Sequence, residues 1–300
     1  MKFLKVALVS SLLLTGVANA APVVKVKAAP NSFNINLSSA NDQLFKVATS
    51  PISIVTAGTT ESTSAVTTAY LASYSWSGIK QWESQINNES IGVDLIKDSN
   101  GGLLLYGAAV STDSATISNV SDTATLNPDG VNVAPTYSPN NSLTNIVVWK
   151  FSSTGQLVAN YILPFADVVY PKNITEVNKK FILSGYSKSK YFNITFDTSG
   201  SFGKVSYPRE PIEKFTPSIY KFGTNKITYF LSSSAISGVT GWKPKRPIPV
   251  LIERAKSGAI KIANYFPGNI VSTAYQSGSG FVSLNQIGLQ YGISIITPIK

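Results

Sequence analysis

The stretch Gly241-Trp242-Lys243-Pro244-Lys245-Arg246-Pro247 places an aromatic ring and three cations beside two stiffening prolines. An indole can stack on a sugar ring or a base, and Lys243, Lys245 and Arg246 can meet phosphate or carboxylate groups. Lys188 and Lys190, in Lys188-Ser-Lys190-Tyr191, form a second small cationic group. These six residues are the candidate ligand contacts. The alternative for the first stretch is a surface connector whose Trp242 packs back on the scaffold and whose lysines are simply hydrated.

Catalytic chemistry is narrowed by what the chain lacks. With no histidine and no cysteine, it builds no Ser-His-Asp triad, no Cys-His pair and no zinc or iron site that relies on imidazole or thiolate. No catalytic residue, metal ligand or cofactor is assigned. Carboxylate-pair chemistry survives, with Asp42, Glu83, Glu89, Asp94 and Asp98 as its candidates. Asp98 reads first as a turn residue, because Asp98-Ser-Asn-Gly101 is a turn sequence. The same stretch is a poor calcium site, with so few acidic oxygens.

The elements that must carry these residues are strands. Short alternating runs rich in Val, Ile, Tyr, Phe and Thr are bounded by Gly, Asn, Ser and Asp, and no long helical period follows residue 20. Four segments share apolar positions eight, six and four residues before a glycine: Tyr70-Ala72-Tyr74 before Gly78, Val147-Trp149-Phe151 before Gly155, Phe192-Ile194-Phe196 before Gly200, and Val250-Ile252 before Gly258. Arg254 breaks the fourth. A degenerate fifth copy is expected at Phe33, Ile35 and Leu37, with Asn41 replacing the glycine. Each copy reads as a strand with alternate side chains buried, ended by a left-handed turn.

A second landmark strand accompanies the copies: ISIVTAG ending at Gly58, LLLYGAA with Gly107, FILSGYS with Gly185, and ITYFLSS around Ser232. The turn glycines are 77, 45 and 58 residues apart. A unit of roughly 45 residues with insertions fits a four-stranded propeller blade. The fold expected is therefore all-β, a β-propeller of five blades with one degenerate, its C-terminal strand closing the ring beside an N-terminal one. Segments joining a landmark strand to the next copy would share one face. They are the polar insertion at about 110–144, the Lys188–Lys190 turn and the Trp242 loop, and loops on a rigid scaffold are where binding residues collect.

The first copy, Ala72-Ser-Tyr74-Ser-Trp-Ser77-Gly78-Ile-Lys-Gln-Trp82, resembles the tryptophan-docking repeat of quinoprotein-type propellers, A-x-D-x-x-[ST]-G-x-x-x-W. It matches at Ala72, Ser77, Gly78 and Trp82 and departs at Tyr74, where the family has aspartate. It is also similar to bacterial propeller repeats in which this segment is followed by Asp-x-x-Gly and a glycine strand, here Asp98–Gly101 and Gly107. The resemblance covers about 40 residues and implies blade scaffold without implying an activity. Quinone dehydrogenases need more blades than this chain supplies, so no quinone is carried over.

Residues 1–20 read as a cleaved signal peptide: Lys2 and Lys5, an apolar run from Val6 to Leu14, then Ala18-Asn19-Ala20. The expected mature product is a single domain over 21–300, without a membrane span, secreted or periplasmic. Its charge is uneven. Residues 21–171 hold six basic and ten acidic side chains, whereas 172–261 hold sixteen and five. A strongly basic side draws polyanions, although a lysine-rich surface also serves solubility. The sequence thus points to an exported non-enzymatic binding or scaffold module for an anionic polysaccharide, a wall polymer or a protein partner, and disfavours nucleic acid. The rival is a glycan-processing enzyme using a carboxylate pair in the propeller channel.

Overall fold

The computed structural model describes residues 23–37, 42–61, 66–86, 88–98, 100–110, 117–118, 143–212 and 215–299. The signal-peptide region, Asn41 and residues 111–116 and 119–142 of the polar insertion lie outside them. Among the described residues there is no helix, and so none long and apolar enough to cross a membrane.

The strands form a β-propeller. In its first sheet Gln43–Thr49, Ile54–Glu61, Thr67–Tyr74 and Lys80–Ile86 follow one another from the inside outward, and Ile117–Ser118 pairs outside them. The second sheet repeats this with Ser90–Lys97, Leu103–Ala109, Asn145–Phe151 and Leu157–Pro164. The third has Val169–Val177, Lys180–Ser187 and Lys190–Phe196, extended only by isolated bridges from Phe202 and Ser206. The fourth comprises Ser218–Phe222, Asn225–Ser232, Ile248–Arg254 and Ile260–Tyr265, edged by Lys27–Ala28 in parallel. The fifth comprises Asn269–Gln276, Gly280–Ile287 and Gln290–Ile296, and its outer strand is the N-terminal Phe33–Ile35. Ring closure by an N-terminal strand is thus as expected. Phe33 and Ile35 do not begin a degenerate copy, however. They are an outer strand completing the last sheet.

The repeat now has a physical identity. Each copy is the third strand of its sheet, and its glycine sits in the turn that follows it. In all four turns the glycine N–H donates to the carbonyl three residues back, from Gly78 to Ser75 at 2.9 Å and from Gly155 to Ser152 at 3.1 Å. The φ values are 86°, 82°, 98° and 87° at Gly78, Gly155, Gly200 and Gly258, a region cheap only for glycine. The landmark glycine belongs to the second strand and faces a bulge in the innermost one. Gly58, Gly107 and Gly185 pair where the first strand skips Phe45, Val93 and Lys172. A Cβ on Gly107 would lie 1.8 Å from the Ile91 carbonyl oxygen, so only glycine fits beneath the bulge. In the fourth sheet the residue paired like these is Phe230, opposite Val250, and not Ser232.

Four apolar clusters glue the ring. They join the first sheet to the second through Leu71, Trp149 and Phe151, the second to the third through Tyr106, Phe192 and Phe196, the fourth to the fifth through Tyr229, Leu251 and Phe281, and the fifth to the first through Leu284 and Tyr74. Among the described residues no such cluster joins the third sheet to the fourth. The copy residues Val250 and Ile252, whose counterparts face the preceding sheet, pack instead under Val24, Val26, Ile236, Val239 and Trp242. The Trp242 loop and the N-terminal segment, tied by the parallel pairing of Val24–Lys25 with Val239–Thr240, fill the seam.

Candidate functional site

The innermost strands surround a cavity of about 1030 Å³ to which all five sheets contribute. Its wall is built by the bulges. The extra residues Phe45, Val93, Lys172 and Val271 line it, and so do Lys46, Asp94, Asn173 and Ser272 that follow them. A bulge inserts one residue without a cross-strand partner and re-aims the chain, which gives each inner strand an additional side chain at the same depth. On the fourth sheet the innermost strand pairs no further than Ser218, opposite Tyr229, so Tyr229 and Leu231 of the second strand reach the cavity themselves.

Residues after the bulges also fasten one sheet to the next. The Ser272 hydroxyl oxygen accepts from the Val47 N–H at 3.2 Å, Lys46 Nζ lies 2.8 Å from Asp94 Oδ1, and Asp94 Oδ2 accepts from the Ile174 N–H at 3.0 Å. Asp94 is therefore a latch spanning the first three sheets. Its side chain is 7 % exposed against 36 % for Lys46, so the carboxylate is the buried member and is held from two sides.

The charged residues lining the cavity are Lys46, Lys172, Arg246 and Asp94. Lys46 is held by Asp94, and Lys172 lies 2.8 Å from Glu210 Oε1. Arg246 is exposed and has no ion-pair partner among the described residues. Glu210 also accepts a hydrogen bond from the Tyr186 hydroxyl, and together Lys172 and Tyr186 hold its carboxyl below the ordinary range. Around these charges stand Gln43, Asn173, Asn269 and Gln286, with Phe45, Phe215, Tyr229, Tyr265 and Tyr291.

The six residues singled out from the sequence divide among several places. Arg246 reaches the central cavity. Lys243 and Lys245 are exposed on the loop that leads to it. Trp242 does not present its ring: it lies against Tyr265 with centroids 5.7 Å apart, and its indole N–H donates to Ser232 Oγ at 3.2 Å. Its partly buried ring also packs on the cluster of Val250 and Ile252. Lys188 occupies a left-handed turn (φ 50°) and pairs with Asp167 at 2.9 Å. Lys190 borders a separate cleft with Tyr186, Tyr191 and Tyr207.

Three of the other candidate carboxylates hold local contacts. Asp98 caps its own turn by accepting from the Asn100 and Gly102 N–H groups at 2.9 and 2.7 Å, with Lys150 Nζ 3.3 Å away. Glu83 takes the Tyr70 hydroxyl and Lys80, and Asp42 is buried and accepts from the Glu61 N–H. Asp94 is the one carboxylate among the described residues lining the cavity. Lys46 and Lys172, missed in the sequence, are legible only once a bulge is placed opposite each landmark glycine.

No protein-family model matches the chain, and neither does any characterised relative. Among solved structures, a GH43_1 enzyme from Xanthomonas citri overlays with 13 % identity and a TM-score of 0.36 over 77 % of this chain and 76 % of that one. A putative gluconolactonase overlays with 7 % identity and a TM-score of 0.34 over 92 % and 95 %, and a streptogramin B lyase with 12 % and 0.24 over 87 % and 95 %. At these scores the overlays lend the cavity no activity, and its reading rests on its own residues.

Proposed function

We propose that this chain is an exported binding module, without catalysis of its own, that takes an anionic polymer such as an acidic polysaccharide or wall polymer at the mouth of its central cavity. In this reading residues 1–20 are removed on export, residues 21–300 form one domain, and each of the five sheets is a blade. The observation that carries it is the cavity's charge. Among the described residues three cations and one carboxylate line it, the carboxylate is spent on Lys46 and the backbone N–H groups of Leu95 and Ile174, and Arg246 has no ion-pair partner. Arg246 supplies a planar fork for carboxylate or sulfate oxygens, while Lys46 and Lys172 are already held by Asp94 and Glu210. Tyr229, Tyr265 and Phe45 give apolar surface for sugar rings. A glycosidase would need a second carboxylate roughly 5 to 10 Å from the first, and the described cavity residues offer Asp94 alone.

The test is calorimetric titration of heparin and of polygalacturonate, with neutral dextran as the control. Arg246→Ala is expected to weaken binding about tenfold, the loss of one charge-assisted contact. Lys243→Ala and Lys245→Ala are expected to weaken it less, through long-range attraction alone. Unchanged affinity in Arg246→Ala, with loss in the exposed-lysine variants, would put the ligand on the outer loop and sink the cavity reading.

A further inference from the structure

The third sheet has an unusual second face. Phe181, Leu183, Phe192, Ile194 and Phe196 go to the core shared with the second sheet. The cross-strand pair Tyr186 and Tyr191 turns the other way, toward the side where no sheet-to-sheet cluster forms among the described residues. Their rings meet edge to face, 5.6 Å between centroids at 67°. The chain then returns along the sheet edge, where Asn193 and Ser206 exchange two backbone hydrogen bonds of 2.9 Å. That bridge hangs Tyr207 beside the pair, 56 % exposed. The three tyrosines, Glu210, Lys190 and Ser189 border a cleft of about 300 Å³, separate from the central cavity.

The chemistry of the cleft is specific. Glu210 is held in place by the Tyr186 hydroxyl and by Lys172 Nζ at 2.8 Å, so its remaining lone pairs form a fixed acceptor on one wall. Ser189 and Lys190 supply donors at the border of the cleft, on a hairpin whose turn residues Lys188 and Ser189 have φ of 50° and 59°. Lys188 is leashed to Asp167, which orients the turn. Aromatic rings beside a fixed acceptor and hydrogen-bond donors suit a ring with C–H groups on its faces and hydroxyls around its edge. A volume near the lower limit of small-molecule pockets, ~300 Å³, accommodates one such ring.

We propose that the Tyr186–Tyr191–Tyr207 cleft is a second, independent binding site, and that it takes a single neutral sugar residue of a glycan. An aromatic cage with a carboxylate could also hold a quaternary ammonium ion. Here Lys190 lines the cleft and Lys172 already neutralises Glu210, so a cation meets repulsion and no free counter-charge.

The test is ligand-observed NMR and calorimetry on the whole chain with glucose, galactose, mannose, N-acetylglucosamine and short oligomers of each, and with choline chloride. One or more of the sugars is expected to bind weakly and saturably. Tyr207→Ala is expected to reduce that affinity about tenfold, the loss of one stacking face. Its thermal midpoint should stay unchanged, because Tyr207 is largely exposed. Lys190→Ala provides a second variant that leaves the packing intact and should weaken the sugar several-fold. Arg246→Ala should leave sugar binding as it is, which separates this site from the polyanion site at the cavity mouth. Absence of saturable sugar binding, binding insensitive to both Tyr207→Ala and Lys190→Ala, or binding of choline in place of sugars would overturn the proposal.

Discussion

Asp94 shows how a residue's role depends on the partners that the fold delivers. In the sequence it is one acidic side chain among several, open to acid or base chemistry. In the fold it fastens three sheets through Lys46 and the Ile174 N–H. Nothing local announces this, because Lys46 and Ile174 lie 48 and 80 residues away. Asp94→Ala strands a buried donor and a half-buried ammonium, and should cost about 2–3 kcal/mol in denaturant unfolding. Gly107→Ala should cost at least as much, about 3 kcal/mol, since the new Cβ meets backbone on one side and Trp149 on the other. Burial raises the phenol pKa of Tyr70 and Tyr106 well above 10.0. A group whose folded pKa is raised contributes stability that is complete below its unfolded value and is lost as pH climbs above it. Alkaline titration should therefore show stability falling from about pH 10 upward, with those phenols ionising together with unfolding in ultraviolet absorbance.

Between neighbouring sheets, an aromatic residue on one outer strand sits on the turn glycine of the next sheet. Ring atoms of Trp82 lie within 2.4 to 2.8 Å of where a Cβ on Gly155 would be, Phe33 stands likewise over Gly78, and Tyr161 over Gly200. Ser84 Oγ donates to the Gly155 carbonyl at 2.7 Å and the Tyr161 hydroxyl to the Thr198 carbonyl at 3.2 Å. The tryptophan of the first copy was legible in the sequence as a docking residue. Its counterparts were not, because the aromatic type changes and Tyr161 follows its glycine by six residues where Trp82 follows by four. At Gly258 no described residue occupies the equivalent space, and this is the sheet whose junction with the third lacks an apolar cluster among the described residues. Trp82→Ala should cost about 2 kcal/mol, less than the ~3–5 of a fully buried tryptophan because part of the ring stays hydrated. Trp82→Phe should recover most of it. Equal stability of the Ala and Phe variants, measured by chemical denaturation, would show that the docking contributes nothing.

Across the whole molecule, the strand periodicity and the turn glycines made the propeller readable in the sequence. The seam was not readable. It arises because the third sheet ends in bridges in place of a regular fourth strand, while the Trp242 loop and residues 24–26 cover the facing side of the fourth sheet. Arg254, which breaks the repeat, sits at this side and donates its guanidinium to the Gly258 and Ser237 carbonyls at 3.3 and 3.1 Å. On the same loop Arg246 lines the cavity while Trp242 packs on Tyr265. Closure depends on three residue pairs between Phe33–Ile35 and Gln290–Ile296. A chain lacking residues 23–37 should unfold at lower denaturant and with a shallower transition, as the fifth sheet and the seam filling are lost together. The central claim, that the cavity mouth is a polyanion site read through its cations, is tested most directly by the salt dependence of heparin binding. The account predicts that the logarithm of the association constant falls linearly with the logarithm of salt concentration, with a slope of about −1 for the ions released at Arg246, and that Arg246→Ala brings the slope close to zero. A flat dependence, or the same slope in Arg246→Ala, would contradict it.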